Sequence, residues 1–199
     1  MIELKVNDNF HIITGGPGVG KTTLLEELRY REYKIVPEIA RELIREQQKC
    51  NGKALPWKDK ELYLKKMFDR SLISYELAER ALNGDKPIFF DRGFLDTICY
   101  GRLIESEISS RMKTYATHWK YNKSIFMLPP WQEIYQTDSQ RKQDWNEAVL
   151  TFERMSQTYQ DYGYNIVEVP KAPVKERADF VLEFIEDHKI YGQTNRKIK

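Results

Sequence analysis

The octapeptide Gly15-Gly16-Pro17-Gly18-Val19-Gly20-Lys21-Thr22 restricts what this chain can fold into more than any other segment. It fits G-x-x-x-x-G-K-[ST], follows the apolar run Phe10-His11-Ile12-Ile13-Thr14, and leads into a helical pattern through Leu24, Leu25 and Leu28. A strand, a glycine-rich loop and a helix in that order make a phosphate-binding P-loop. Glycine lets the backbone turn its N–H groups inward around phosphate oxygens. The helix N-terminus behind the loop adds partial positive charge. The expected nucleotide-binding residues are Gly15, Gly16, Pro17, Gly18, Val19, Gly20, Lys21, Thr22 and Thr23. Lys21 is expected to reach the β- and γ-phosphates of ATP, and Thr22 to place its hydroxyl on Mg²⁺.

Length and charge narrow the setting. A chain of 199 residues with 41% hydrophobic and 31% charged residues suits one globular domain spanning 1–199. A net charge of +2, with Lys and Arg scattered along the chain, argues against nucleic acid as a partner. Cys50 and Cys99 form no metal-type or redox-type spacing and suit a reducing cytosol. Met1-Ile2-Glu3-Leu4-Lys5 lacks a signal layout, and no stretch approaches membrane-spanning length, so a cytoplasmic location without membrane contact is expected. His11, His118 and His188 suggest neither a metal site nor a catalytic triad.

Apolar runs at 10–14, 33–37, 86–91, 123–128 and 164–169 alternate with helical periods. That alternation predicts a three-layer α/β fold of the P-loop NTPase type, with a five-stranded parallel sheet in the order 2-3-1-4-5 and right-handed crossovers. Residues 2–6 are expected to add a strand, hairpinned onto the first core strand through Asn7-Asp8-Asn9. Leu64, Phe68, Leu72, Tyr75, Ala78 and Leu82 mark one helix face, and Trp145, Val149, Phe152, Met155, Tyr159 and Tyr162 another. A third follows Val174, Ala178, Val181, Leu182 and Ile185. All three stripes read as core. Residues 49–56 read as a loop, and the polar tail 189–199 as frayed.

Ligands of open parallel sheets sit beyond the carboxyl ends of the strands. After the second core strand come Glu38 and Arg41, spaced i and i+3 in the first turn of the next helix and both expected to face the cleft. There a carboxylate can accept a hydroxyl proton and an Arg can hold an anion. The same pair also suits a plain helix start with a local ion pair. The third strand ends Phe89-Phe90-Asp91-Arg92-Gly93, the layout of a Mg²⁺-organising carboxylate beside a P-loop. Asp91 can instead cap the next helix, whereas Asp96 and Thr97 read as helix-start residues. Arg92 is a candidate for holding the substrate or a second phosphate. After Pro129-Pro130-Trp131, a polar stretch at about 136–146 is expected to form a lid, with Arg141 closing over the γ-phosphate. Pro170-Lys171-Ala172-Pro173 either flanks a purine ring or only connects.

Absences sort the P-loop classes. Asn122-Lys123-Ser124-Ile125 has Ile where a guanine-reading Asp belongs. Asp91-Arg92 stands where a ring-forming ATPase carries Asp-Glu, and no transporter-type Leu-Ser-Gly-Gly-Gln signature occurs. A small-molecule kinase layout remains.

Thr14–Thr23, Val36–Ile44, Ala54-Leu-Pro-Trp-Lys58, Phe89–Gly93, Leu128-Pro-Pro-Trp-Gln-Glu-Ile-Tyr135 and Val167-Glu-Val-Pro170 together resemble a family of P-loop ATPases. That family is classed as an AAA-type domain but is kinase-like in layout, and the resemblance covers roughly residues 10–187. It implies nucleotide binding and a fold similar to nucleoside and nucleotide kinases. More distantly, Val36-Pro37-Glu38 resembles the strand-end Glu used as general base in deoxynucleoside kinases. Glu38-x-x-Arg41 is similar to the substrate-binding turn of ribosylnicotinamide kinases. Asp91-Arg92 resembles the Asp/Glu-Arg pair of thymidylate and deoxynucleoside kinases.

The expected function is Mg²⁺- and ATP-dependent phosphoryl transfer to a small acceptor, a nucleoside or nucleotide. Lys21, Glu38, Asp91 and Arg141 are the catalytic candidates. Glu38, Arg41 and Arg92 would hold the acceptor, with Glu38 or Asp91 orienting or deprotonating it, and Thr22 and Asp91 would hold Mg²⁺ partly through water. The alternative is a nucleotide-dependent ATPase or switch acting on a protein partner through 2–9 or 189–199.

Overall fold

The computed structural model describes residues 2–134 and 145–196. Its centre is β2 (Phe10–Gly15), preceded by the two-residue strand β1 (Lys5–Val6). All six β2 residues are buried, as a central parallel strand covered on both faces requires. The chain continues through α1 (Lys21–Tyr30), β3 (Lys34–Val36), α2 (Ile39–Lys49), α3 (Lys60–Arg80), β4 (Ile88–Asp91), α4 (Phe94–Leu103) and α5 (Ser110–His118). It ends with β5 (Trp119–Lys120), β6 (Ser124–Leu128), a 3₁₀ turn at Gln132–Ile134, α6 (Trp145–Asp161), β7 (Asn165–Glu168) and α7 (Val174–Arg196).

The main sheet is parallel throughout, in the order β3-β4-β2-β6-β7. Counting only those five strands along the chain, this is the expected 2-3-1-4-5. Side-chain alternation along β2 assigns the two cores. Phe10 and Ile12 join residues of α3, α4, α5 and α6 on one face. Ile13 joins Leu24, Leu25 and Leu28 of α1 and Ala178, Val181 and Ile185 of α7 on the other. The three helical stripes read from the sequence all contribute core side chains: Leu64, Phe68, Leu72, Tyr75 and Ala78, then Met155 and Tyr159, then Ala178, Val181 and Ile185.

One expectation needs correction. The strand at 2–6 does not form a hairpin with the first core strand. β1 pairs parallel with β5 in a separate two-stranded sheet, Lys5 opposite Trp119 and Val6 opposite Lys120. The reason is geometric: β4 and β6 occupy both edges of β2, so no ladder position remains for a hairpin partner. Lys5 fixes the displaced strand, its Nζ bonding Glu79 Oε2 at 2.6 Å and lying 4.8 Å from the centre of the Trp119 ring. At the other end of the chain, the tail read as frayed from 189 is helical through Arg196.

Candidate active site

The P-loop leaves the carboxyl end of β2. A Cβ at Gly15 would stand 2.6 Å from the Leu128 carbonyl oxygen, so only glycine lets β2 and β6 run this close. Gly20 takes φ +81° at the N-cap of α1, a left-handed turn that a side chain would oppose. Lys21 is buried, and its Nζ donates to the carbonyls of Gly15 at 2.9 Å and Gly16 at 2.7 Å. The loop therefore curls around its own lysine. Burial, with Arg92 nearby, pushes the Lys21 ammonium down to about 7, against the opposing pull of Asp91, Glu38 and Asp96. Thr22 is exposed, and Thr23 Oγ1 donates to the Gly20 carbonyl at 2.9 Å.

The carboxylate-rich side of the site is assembled from three elements. Glu38 is the N-cap residue of α2, but its carboxylate accepts no hydrogen bond from the helix backbone. Oε2 takes Arg41 Nε at 2.8 Å and Oε1 takes Arg92 Nε at 3.1 Å. Arg41 and Glu38 do form the local ion pair of a plain helix start, yet Arg92, 54 residues away, makes Glu38 part of a larger cluster. Burial opposes the Glu38 charge, but Arg92, Lys21 and Arg41 together hold its carboxyl below the usual glutamate value.

Arg92 has φ +72°, an uncommon conformation for a residue with a side chain. Its N–H donates to the Ile13 carbonyl at 3.1 Å, continuing the β4–β2 pairing. The guanidinium then reaches both Glu38 and, through Nη1 at 3.2 Å, Asp96 Oδ1. Burial disfavours its charge, but Asp96, Glu38 and Asp91 more than restore it and raise its pKa. Strain of this kind persists where the surroundings over-determine it.

Asp91 ends β4 and does not cap α4, whose N-cap is Gly93. Its Oδ1 is buried without a hydrogen-bond partner. Burial raises its carboxyl pKa, Lys21 lowers it and Glu38 raises it further, with a net upward shift. Such an orphaned oxygen beside the exposed Thr22 fits a Mg²⁺ site. Magnesium is usually held by one or two carboxylates, with phosphate and water completing its shell. Among the described residues no group of three or more His, Cys, Asp and Glu is arranged to hold a metal by itself. Thr22 and Asp91 would share the ion with a bound nucleotide.

Asp96 was expected only to start α4, and it does more. Oδ2 accepts from the Gly93 N–H at 2.8 Å and from Tyr159 Oη at 2.6 Å. Oδ1 accepts from Thr14 Oγ1 at 2.5 Å as well as from Arg92. One carboxylate thus ties the strand before the P-loop, the Arg92 turn and α6 together. A second residue without a local signal is Arg177 in α7. Its Nη1 donates to the Gly20 carbonyl at 3.2 Å, its Nη2 to Thr23 Oγ1 at 3.4 Å, and its guanidinium lies 5.7 Å from the Trp131 ring centre. Nothing around Arg177 in sequence announces this. Arg141, and most of the expected lid, lie outside the described residues.

Two hollows meet at these carboxylates. A cavity of about 300 Å³ is lined by Glu38, Asp91, Arg92 and Asp96 and by Tyr63, Met67, Tyr100, Leu103 and Met155. A neighbouring groove runs along α2 from Thr22 past Glu38, Asp91, Arg41 and Arg45. Glu38 and Asp91 line both. Cys99 also lines the cavity, its thiol pushed up to about 11 by burial. Elsewhere His11 is buried on β2 between the rings of Phe89 and Phe126, and His188 stacks on Phe184.

The family model of an AAA domain matches residues 10–177. No curated protein sequence matches the chain. Among solved structures, deoxyadenosine kinase from M. mycoides with bound dATP is similar over 92% of this chain and 100% of that one, at 17% identity and a TM-score of 0.54. A NadR protein in complex with NR is similar over 85% of this chain and 46% of that one, at 19% identity and a TM-score of 0.56. Thymidylate kinase from Ehrlichia chaffeensis is similar over 90% of this chain and 99% of that one, at 15% identity and a TM-score of 0.55. At these identities the likeness is one of fold. Among the described residues no helix is long and apolar enough to cross a membrane.

Proposed function

From the premise that this chain belongs to the AAA domain family of P-loop proteins, we propose that it transfers the γ-phosphoryl group of ATP to a small acceptor such as a nucleoside or nucleotide, with Mg²⁺ as cofactor. One observation carries the reading: Glu38 and Asp91 line both the groove that reaches Thr22 and the cavity beside it. A donor held by the P-loop and an acceptor held in the cavity would meet across those two carboxylates.

In this reading the loop amides and Lys21 hold the β- and γ-phosphates, and Lys21 exchanges its two carbonyl partners for phosphate oxygens. Thr22 and Asp91 would hold Mg²⁺, which would supply positive charge beside the phosphates. Glu38 orients the acceptor hydroxyl and takes its proton. The bond from the acceptor oxygen to the γ-phosphorus forms as the bond from that phosphorus to the β,γ-bridging oxygen breaks, and ADP leaves. Arg92 and Arg41 fix Glu38, and Arg141 closes the site. Catalysis of this type rests on positioning and charge stabilisation.

The test is phosphoryl transfer from γ-labelled Mg-ATP by the purified protein, with nucleosides, deoxynucleosides, their monophosphates and nicotinamide riboside as acceptors. A labelled product from one class supports the reading. ADP release that no acceptor stimulates, with no labelled product, overturns it. That outcome would favour a nucleotide-dependent switch acting on a protein partner. The specific observation on that side is the apolar pair Leu4 and Val6, 65% and 60% exposed on and beside β1.

A further inference from the structure

The charges around the cavity point to what it admits. Among the described residues lining it, Arg92 is the one cation, and three carboxylates line it too: Asp96, and Glu38 and Asp91 at the mouth where it meets the groove. Arg92 is already committed, its Nε to Glu38 at 3.1 Å and its Nη1 to Asp96 at 3.2 Å. Asp91 Oδ1 is buried with no donor at all. Arg41 lines the outer groove rather than the cavity and is held by Glu38.

Away from those charged groups the walls are mostly apolar and aromatic. Met67, Leu103 and Met155 stand with Tyr63 and Tyr100, whose rings meet edge-on at 5.6 Å. Ser71 Oγ donates to the Met67 carbonyl, which leaves it only an acceptor to offer. Among the described residues, a phosphate or carboxylate brought here would meet the unpartnered Asp91 oxygen and no uncommitted cation. It would also have to draw Arg92 away from two partners while leaving water.

We propose that the acceptor is a hydroxyl-bearing ring compound without an anionic group, and that the cavity excludes the corresponding monophosphates and carboxylates. A cavity of about 300 Å³ lies at the lower end of the range for small-ligand sites. The body of the acceptor fills it by shape, and its hydroxyl meets Glu38 at the mouth. The inference rests on the phosphoryl-transfer reading for the role of that hydroxyl. The selectivity itself is a property of binding.

The experiment is calorimetry with matched pairs in the presence of Mg²⁺ and a saturating non-hydrolysable ATP analogue. Adenosine against AMP, deoxyadenosine against dAMP, thymidine against its 5′-monophosphate, and nicotinamide riboside against its 5′-monophosphate form the panel. At least one phosphate-free member is expected to bind, with its monophosphate tenfold or more weaker. Glu38→Gln frees Arg92 from one carboxylate and narrows that gap. Leu103→Arg, at a half-buried wall position, places a cation in the cavity and narrows it independently. A monophosphate bound as tightly as its nucleoside, or binding by no phosphate-free member, overturns the inference. Phosphorylation of a monophosphate would overturn it while leaving the kinase reading intact. Selective binding without transfer would do the reverse.

Discussion

The two halves of the candidate site are built by opposite routes. On the phosphate side, Lys21 bonds carbonyls only 6 and 5 residues before it. On the carboxylate side, the bonds that shape the cluster span 54 residues from Arg92 to Glu38, 82 from Thr14 to Asp96 and 63 from Tyr159 to Asp96. A loop that carries its own partners keeps its chemistry in one contiguous motif. A site closed by distant carboxylates depends on the whole sheet holding its register. The first should fail by losing a function, the second by losing geometry as well.

Lys21→Ala tests the local half and should give the largest effect. Nucleotide-dependent turnover is expected to fall by about 10³-fold or more, beyond the loss of a single oxyanion donor, because a full charge is removed. Thermal unfolding should show the variant folded, and unchanged ADP release would remove Lys21 from the site. Asp96→Asn tests the distant half. The amide nitrogen cannot accept from Tyr159, Thr14, Gly93 or Arg92, so one set of these donors is stranded. A stability loss of about 3 kcal/mol is expected by urea denaturation, since breaking one partner of a buried charged network is costly. A loss near zero would show that the four bonds are dispensable and the contrast between the halves false.

Glu38→Gln separates chemistry from architecture. It keeps the shape of the side chain and removes the base, so acceptor-dependent turnover should drop by about 10²-fold. The affinity for nucleotide should change little. Equal losses of turnover with and without acceptor would return Glu38 to the role of a helix-start residue paired with Arg41.

The smallest effect concerns pH. Burial holds the Lys21 ammonium at about 7 in the free protein, so at pH 6.5 most molecules are ready to bind an anion and at pH 8.5 few are. A bound phosphate favours the charged form and raises that pKa, so binding above pH 7 takes up a proton. ADP affinity should therefore weaken by about tenfold between pH 6.5 and 8.5, and calorimetry in buffers of different ionisation enthalpy should report the uptake. Lys21→Ala should abolish the dependence.

Legibility in the sequence followed the same division. The P-loop, its strand and its helix were readable because the apolar run, the glycine-lysine motif and the helical period that mark them lie in one contiguous stretch of chain. The five core strands and their order were readable because apolar runs alternating with helical periods leave few parallel topologies. Glu38, Asp91 and Arg92 stood out as candidates by their place at strand ends, and the fold brings them together. Asp96 and Arg177 were not found as site residues. A helix-start Asp looks the same in sequence whether it caps one turn or joins three elements. Arg177 reaches Gly20 only because α7 packs beside α1.

Sequence alone determined the phosphate-binding loop, the parallel α/β architecture and the acidic and basic strand ends, because each rests on local spacing and hydrophobic period. Tertiary structure decided that Asp91 keeps an unpartnered oxygen, that Arg92 is neutralised by two carboxylates, and that the first strand pairs with Trp119–Lys120 instead of Phe10–Gly15. Those outcomes depend on which ladder edges and which charges are already occupied, a competition among distant segments that no local pattern records.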